Sequence, residues 1–148
     1  MNLKPLMPLA FACFLFTVGC ASVPMASPEK DSQAKQFSVK PGKANIYLYR
    51  NETMGAAIKI DVFLDSKIVG KTAANTYFVL EVDPGSHTIL SRSENDDEFK
   101  FSPVAGKNYF IWQEVKMGLL YARSKLQLVD ESAGKAGVNE CKLAETQH

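Results

Sequence analysis

The amino-acid sequence predicts an all-β protein: a small β-sandwich or partly open barrel of about seven strands, with a short C-terminal helix. Apolar and polar residues alternate with a period of two over short stretches, as in strands that bury one face. Turn-forming residues such as Asp83-Pro84-Gly85 separate these stretches. With 148 residues, 46% of them hydrophobic, the chain is long enough for one compact domain with its own core.

The alternation is clearest in the first predicted strand. There, Ile46 and Leu48 face one side while Tyr47 and Tyr49 face the other. Short strands of this kind, separated by turns, are typical of sandwiches and barrels. The seven predicted strands cover residues 44–50, 58–65, 76–82, 87–93, 99–102, 108–116 and 124–129.

A short helix is predicted after the last strand, over residues 131–145. Asp130 precedes it and is a residue type that caps helices by accepting a backbone N–H. Gly134 and Gly137 each lower its stability by about 1 kcal/mol relative to alanine. We therefore expect the helix to depend on packing against the domain.

The N-terminus has the pattern of an export signal. Lys4 supplies a positive charge, and residues 6–18 form an apolar run that ends at a polar stretch. A membrane-spanning helix needs roughly 20 apolar residues, so this run is too short to be one. Residues 1–19 are therefore predicted to be a signal peptide.

The junction Gly19-Cys20-Ala21-Ser22 resembles the lipobox of bacterial lipoproteins, with Thr17 where that motif usually has leucine. The resemblance implies cleavage before Cys20, an S-linked diacylglycerol and an N-linked acyl chain. Two or more acyl chains hold a protein stably on a membrane. Ala21 resembles the second residue of lipoproteins sorted to the outer membrane of Gram-negative bacteria. The alternative is ordinary secretory cleavage beside an incidental cysteine.

The mature chain is predicted to have three parts. Residues 20–42 are rich in Ser, Pro, Lys, Gln and Ala, and we expect the lipidated Cys20 followed by a flexible tether. Residues 43–143 form the β-domain. Residues 144–148 form a C-terminal tail.

Residues 62–89 resemble the PEGA-type β-domain of bacterial surface proteins. The shared order is a strand, an Asp-x-Lys turn, Val-Gly-Lys-Thr, a strand, Pro-Gly-x-His and a strand. Ser66 stands where that turn usually has glycine, which places Asp65 or Ser66 in an unfavourable conformation or loosens the turn. Together with residues 42–50, 105–115 and 126–136, the region is similar to a bacterial lipoprotein family of unknown function. The resemblance implies architecture and location but no catalytic residues.

Charge and motifs exclude several function classes. The 17 basic and 16 acidic residues are interspersed, so nucleic acid is not a predicted partner. The Val69–Thr72 sequence imitates the end of a phosphate-binding loop, but the upstream glycine is missing and the context is a β-hairpin. His87 follows a turn and is predicted to be structural, and the other histidine is His148. No metal or cofactor is predicted.

Two further clusters have a structural and a functional interpretation. Glu94–Glu98 is the densest run of charge, and we expect a solvated hairpin tip; the alternative is a weak Ca²⁺ site. Aromatic residues in the predicted strands are expected to cover the sheet, although they also suit a ligand groove. These aromatic residues are Tyr47, Tyr49, Tyr77, Tyr109 and Trp112.

The cysteines leave one thiol in the mature domain. Cys13 is lost with the signal peptide and Cys20 carries lipid, so Cys141 has no intramolecular disulfide partner. We expect Cys141 to be packed in the core. The favoured function is a non-catalytic envelope lipoprotein that binds a protein, glycan or lipid partner. The alternative is a periplasmic hydrolase or redox accessory that uses Cys141 or His87.

Overall fold

The computed structural model describes residues 22–147, and this part of the chain is an open, two-sheet β-sandwich. The predicted all-β class is confirmed, with nine strands and two short helices in the described range. The strands are β1 Ala44–Arg50, β2 Ile60–Leu64, β3 Lys67–Thr72, β4 Thr76–Val82, β5 His87–Arg92, β6 Asp96–Phe101, β7 Asn108–Met117, β8 Ala122–Val129 and β9 Lys142–Leu143. The helices are α1 Pro28–Ala34 and α2 Glu131–Asn139. Neither helix is long and apolar enough to cross a membrane.

The two sheets differ in size and in cover. One sheet has the order β8-β7-β1-β4-β9 and the other has the order β3-β2-β5-β6. Most neighbours are antiparallel, whereas β1 pairs in parallel with β7, and β4 in parallel with β9. The core between the sheets is formed mainly by aliphatic side chains and Phe78, among them Ile46, Leu48, Val62, Leu80, Ile89 and Ile111.

Strand β1 is buried along its whole length because both of its faces are covered. Its even-numbered apolar residues enter the core between the sheets. Tyr47 and Tyr49 point to the opposite face, where they pack with Tyr77 and Phe110 beneath the helices. The molecule therefore has three layers: helices, the five-stranded sheet and the four-stranded sheet.

Helix α2 begins as predicted, with the Asp130 carboxylate accepting the Ala133 N–H at 2.9 Å. It ends at Asn139, earlier than predicted, because the chain turns to form β9. Its glycines let the helix lie close to the sheet. An added Cβ at Gly134 would come within 2.2 Å of Phe110, and one at Gly137 within 2.2 Å of Tyr49.

Residues 22–42 differ from the predicted tether. Val23 is only 9% exposed and belongs to the core between the sheets. In α1, the Asp31 carboxylate accepts the Tyr77 hydroxyl and the Leu143 N–H, each at 2.9 Å. The composition predicts too little apolar burial to order this stretch. Polar contacts to the sheet provide the additional stabilisation. The folded domain therefore includes Val23 and helix α1, and it does not begin at Lys43.

The predicted tail is also attached in its described part. The Ala144 N–H donates to the Tyr77 carbonyl at 2.9 Å, and the Gln147 N–H donates to the Val69 carbonyl at 2.7 Å. Residues 144–147 thus run from the edge of one sheet to the edge of the other, closing part of the open side of the sandwich.

Strand β3 is absent from the seven predicted strands and follows β2 through a two-residue turn. Asp65 and Ser66 both have positive φ, at 49° and 67°. Two positive φ values are the requirement of a type I′ hairpin turn. The unfavourable conformation expected from the serine in the turn is therefore confirmed.

Candidate functional site

The predicted lipidation site, Cys20, lies outside the described residues, as do Cys13 and His148. The first described residue is Ser22, and Val23 is already part of the core. Only Ala21 separates Cys20 from the described chain.

His87, the histidine of the enzymatic alternative, braces two turns. Its Nδ1 lies 2.6 Å from Asp65 Oδ2, and its Nε2 lies 2.8 Å from the Asp83 carbonyl oxygen. Burial alone would lower the pKa of His87, but these hydrogen bonds outweigh it and raise the pKa above 6.5. Because both ring nitrogens already have partners, neither is free to act as a general base. The predicted structural role is confirmed.

Cys141 is fully buried against the helix-covered face of the larger sheet. Its Sγ donates to the Arg50 carbonyl oxygen at 3.5 Å. Burial raises the pKa of the thiol to about 12. The thiolate, which is the reactive form, is therefore scarce near neutral pH. The prediction of a packed cysteine is confirmed, and His87 is not among its contacts.

The acidic run Glu94–Glu98 differs from the predicted solvated tip. Its last three residues belong to β6, and the Asp97 carboxylate accepts the Leu126 N–H at 2.6 Å. The Glu94 carboxylate accepts three consecutive backbone N–H groups, of Leu119, Leu120 and Tyr121. These acidic side chains accept hydrogen bonds from backbone N–H groups that have no backbone acceptor in the described part of the chain. Among residues 22–147 no group of three or more His, Cys, Asp or Glu side chains is arranged to hold a metal.

The three N–H groups bound by Glu94 belong to the hairpin tip between β7 and β8, residues 117–121. Leu119 and Leu120 are 91% and 92% exposed, and Met117 and Tyr121 are exposed as well. This apolar tip was not predicted. Apolar side chains in a loop are the signal that marks it in the sequence, but the strand alternation gives no indication that Glu94 holds the loop.

The aromatic residues mostly cover the sheet, as predicted. Tyr47, Tyr49 and Tyr77 are buried beneath the helices, and Tyr47 stacks on Phe110 with ring centroids 5.2 Å apart. Trp112 packs at the margin of the same cluster. These side chains fill space between layers, and Tyr47 also lines a groove on the helix side.

A polar network that the sequence did not predict lies between the sheets. The Gln113 side chain accepts the Thr72 hydroxyl at 2.6 Å and donates to Ser91, also at 2.6 Å. The hydroxyl of Ser91 lies 2.6 Å from that of Ser124. Because Thr72 is turned into this network, the Val-Gly-Lys-Thr stretch offers no hydroxyl for a phosphate. All four side chains are satisfied, as buried polar groups require.

Two grooves lie beside residues 79–81 of β4, beyond the point where its pairing with β9 ends. The groove on the sandwich side has a volume of about 500 Å³ and includes His87 and Asp83 at its rim. The groove on the helix side has a volume of about 350 Å³. Val79 lines both, so the edge of β4 separates them.

Fold and site together define a helix-covered β-sandwich. Residues 40–125 match the family described as "Protein of unknown function (DUF2846)", and this match covers more than half of the chain. The chain belongs to this family.

The chain is also similar to an uncharacterized protein of Haemophilus influenzae. The two are 36% identical over 132 residues, which are 88% of this chain and 79% of the relative. No solved structure matches.

Proposed function

We propose that the protein is a non-catalytic accessory lipoprotein of the bacterial cell envelope. Acyl chains on Cys20 hold it at the periplasmic face of the outer membrane, where it binds another envelope component. The observation that carries this proposal is the short apolar run of residues 6–18, followed by small residues around a single cysteine. Two or three acyl chains at that position would make the attachment stable.

The contacts of the two candidate reactive groups support a non-catalytic role. The Cys141 thiol is enclosed and has a raised pKa, and the His87 ring is held between Asp65 and Asp83. An enzyme would need such a group in a cleft with a partner within hydrogen-bond reach of the substrate. The hydrolase or redox alternative lacks this arrangement in the described residues.

The hairpin from β2 to β3 supports the resemblance to PEGA-type surface domains. It supplies the first strand and the Asp-x-Lys turn of that pattern, and the Val-Gly-Lys-Thr stretch that follows lies in β3. A small β-domain of this type suits display on a membrane surface, and it leaves the specificity to edges and loops.

The mass of the mature N-terminal peptide tests the anchor. We expect a peptide that begins at Cys20 and carries a diacylglycerol and an amide-linked fatty acid. Cys20→Ala should leave the precursor uncleaved, because the lipoprotein peptidase acts on a lipidated cysteine. Cys13→Ala is the matched control, and it should be processed normally. An unmodified N-terminus at Ala21 or beyond would show an ordinary export signal and contradict the proposal.

A further inference from the structure

Along the edge of β4 that faces β9, the backbone groups of residues 79–81 pair with no described strand. Strand β9 pairs with β4 only at Thr76 and Tyr77. The Tyr77 carbonyl accepts the Ala144 N–H, so the polar groups of Tyr77 face this edge. Backbone groups alternate direction along a strand of an antiparallel pair. Val79 and Glu81 therefore direct their N–H and C=O groups away from β1, beyond the point where β9 ends.

Grooves lie on both faces of this free edge. On the sandwich side the groove has apolar walls from Leu64, Ile68 and Leu80. On the helix side, Lys30 and Ser38 line the groove together with Ala34 and Leu143. Side chains of a strand alternate between faces. A strand added at this edge would therefore place successive side chains in the two grooves in turn.

The protein's own C-terminal segment already pairs with the first two residues of the same edge, Thr76 and Tyr77. Strand β9 adds in parallel to β4, and the chain then reaches across to β3 through the Gln147 N–H. The free part of the edge continues directly from this pairing. Strand addition there would extend an interface that the fold already contains.

We propose that the edge of β4 at Val79–Glu81 binds an extended peptide segment of a partner protein by strand addition. The peptide has apolar residues at alternate positions, facing Leu64, Ile68 and Leu80 of the sandwich-side groove. Main-chain hydrogen bonds supply affinity and the two grooves supply specificity. This inference gives the binding role proposed above its partner class and rests on that role. It does not depend on lipidation of Cys20.

A peptide explains this edge better than a bilayer or a glycan does. Lipid chains cannot accept the outward N–H groups of Val79 and Glu81, and an unsatisfied backbone group costs several kcal/mol in hydrocarbon. A glycan has hydroxyl groups, but it lacks the ladder of amide N–H and C=O groups whose spacing matches that of a strand. A peptide strand meets both requirements.

A phage-displayed library of random nine-residue peptides, selected on the full chain in mild detergent, tests the proposal. We expect enriched peptides with apolar residues at every second position. Glu81→Pro removes one outward N–H without breaking the ladder to β1, because proline is tolerated at an edge. It should weaken the peptide about tenfold, as expected for one lost hydrogen bond with its carbonyl left unpaired. Glu81→Ala removes the same side chain but keeps the N–H, so it should weaken the peptide much less than Glu81→Pro does.

A second measurement requires no variant of the protein. Single N-methylation along the enriched peptide should abolish binding at alternate positions only, because only every second peptide N–H faces β4. The proposal is overturned if no peptide is enriched, or if the peptide binds Glu81→Pro as well as the parent. It is also overturned if N-methylation has no period of two, or if the edge pairs instead with a second copy of the chain. None of these results would alter the mass of the N-terminal peptide.

Discussion

Asp65 and Ser66 hold left-handed backbone conformations at the turn from β2 to β3. Such conformations are unfavourable for residues with a Cβ, and glycine adopts them readily. Asp65 contributes its side chain in return, accepting the Thr88 N–H at 2.9 Å. Asp65, at the first position of the turn, therefore offsets its strain with a side-chain hydrogen bond. The strain at Ser66, at the second position, can be relieved by substitution.

We predict that Ser66→Gly raises the free energy of unfolding by about 0.5–1 kcal/mol, since it relieves the strain at φ 67°. Urea denaturation followed by circular dichroism measures the change. Ser66→Ala is the control and should not stabilise the protein, because it retains a Cβ. An unchanged or lower midpoint for Ser66→Gly would show that the turn is not strained.

The pair formed by His87 and Asp65 predicts a dependence of stability on pH. The pKa of His87 is raised, so its charge stabilises the fold fully below pH 6.5 and less as the pH rises through the folded-state pKa. Burial alone would raise the pKa of Asp65, but the Thr88 N–H and His87 lower it below 3.8. The carboxylate contribution is therefore lost only as the pH falls below 3.8.

Urea denaturation of the parent and of His87→Gln at pH 5.5 and pH 8.5 checks this dependence. We expect the parent to exceed the variant by more at pH 5.5 than at pH 8.5. Equal differences at the two pH values would show that protonation of His87 does not contribute.

At the scale of elements, the two glycines of α2 lower its helix propensity but allow the helix to pack closely against the sheet. We predict that Gly134→Ala lowers the free energy of unfolding by about 1–3 kcal/mol, because the added methyl would overlap Phe110. Propensity alone predicts a gain of about 1 kcal/mol. Ser132→Ala, on the exposed face of the same helix, is the control and should be neutral or slightly stabilising. Thermal unfolding distinguishes the two signs.

The apolar tip of the β7–β8 hairpin depends on one carboxylate. We predict that Glu94→Gln speeds amide hydrogen exchange at Leu119, Leu120 and Tyr121, because the amide is a weaker acceptor than the carboxylate. Glu98→Gln, whose side chain pairs only with Lys100, is the control and should leave these amides unchanged. Equal exchange in parent and Glu94→Gln would contradict the role of this contact.

The same contact has a pH dependence of known sign. The three N–H groups lower the pKa of Glu94 below 4.5. Their contribution is present above pH 4.5 and is lost as the pH falls through the lowered pKa.

Sequence patterns predicted the elements whose burial follows a simple period. Strand β1 matches its predicted bounds because one face meets the other sheet and the other face meets helices. Strand β3 was missed because Lys67, Gly70 and Lys71 interrupt the alternation. Helix α1 was missed because it has no buried residue and attaches through Asp31 and backbone contacts. Hydrogen bonds between distant segments leave no periodic signal in a sequence.

The same distinction applies to the candidate site. Cys141 was expected to be packed because the mature domain has no second cysteine to pair with it, and His87 was expected to be structural because it follows a turn. The free edge of β4 could not be predicted, because it depends on where the two-residue β9 stops. Two residues of pairing are too short to be recognised from composition.

At the scale of the whole molecule, the fold includes residues on both sides of the predicted domain. We predict that Val23→Asp lowers the free energy of unfolding by about 2 kcal/mol or more, since a charge would replace a core side chain. Gln36→Asp, at an exposed position that precedes the predicted domain start, is the control and should be near neutral. If both variants unfold at the same urea concentration as the parent, the segment before Lys43 is not part of the cooperative unit.

If Cys20 carries lipid, the place of Val23 in the core limits how far the domain can move from the membrane. Three residue steps separate Cys20 from Val23, and an extended chain spans about 10 Å over that distance. A lipid-anchored domain on so short a connection would sample only a thin layer beside the bilayer. A partner strand would then have to come to that layer, since a domain anchored in this way has no slack with which to move away from the bilayer. The local concentration of partners at the membrane surface would then decide how often the edge of β4 is occupied.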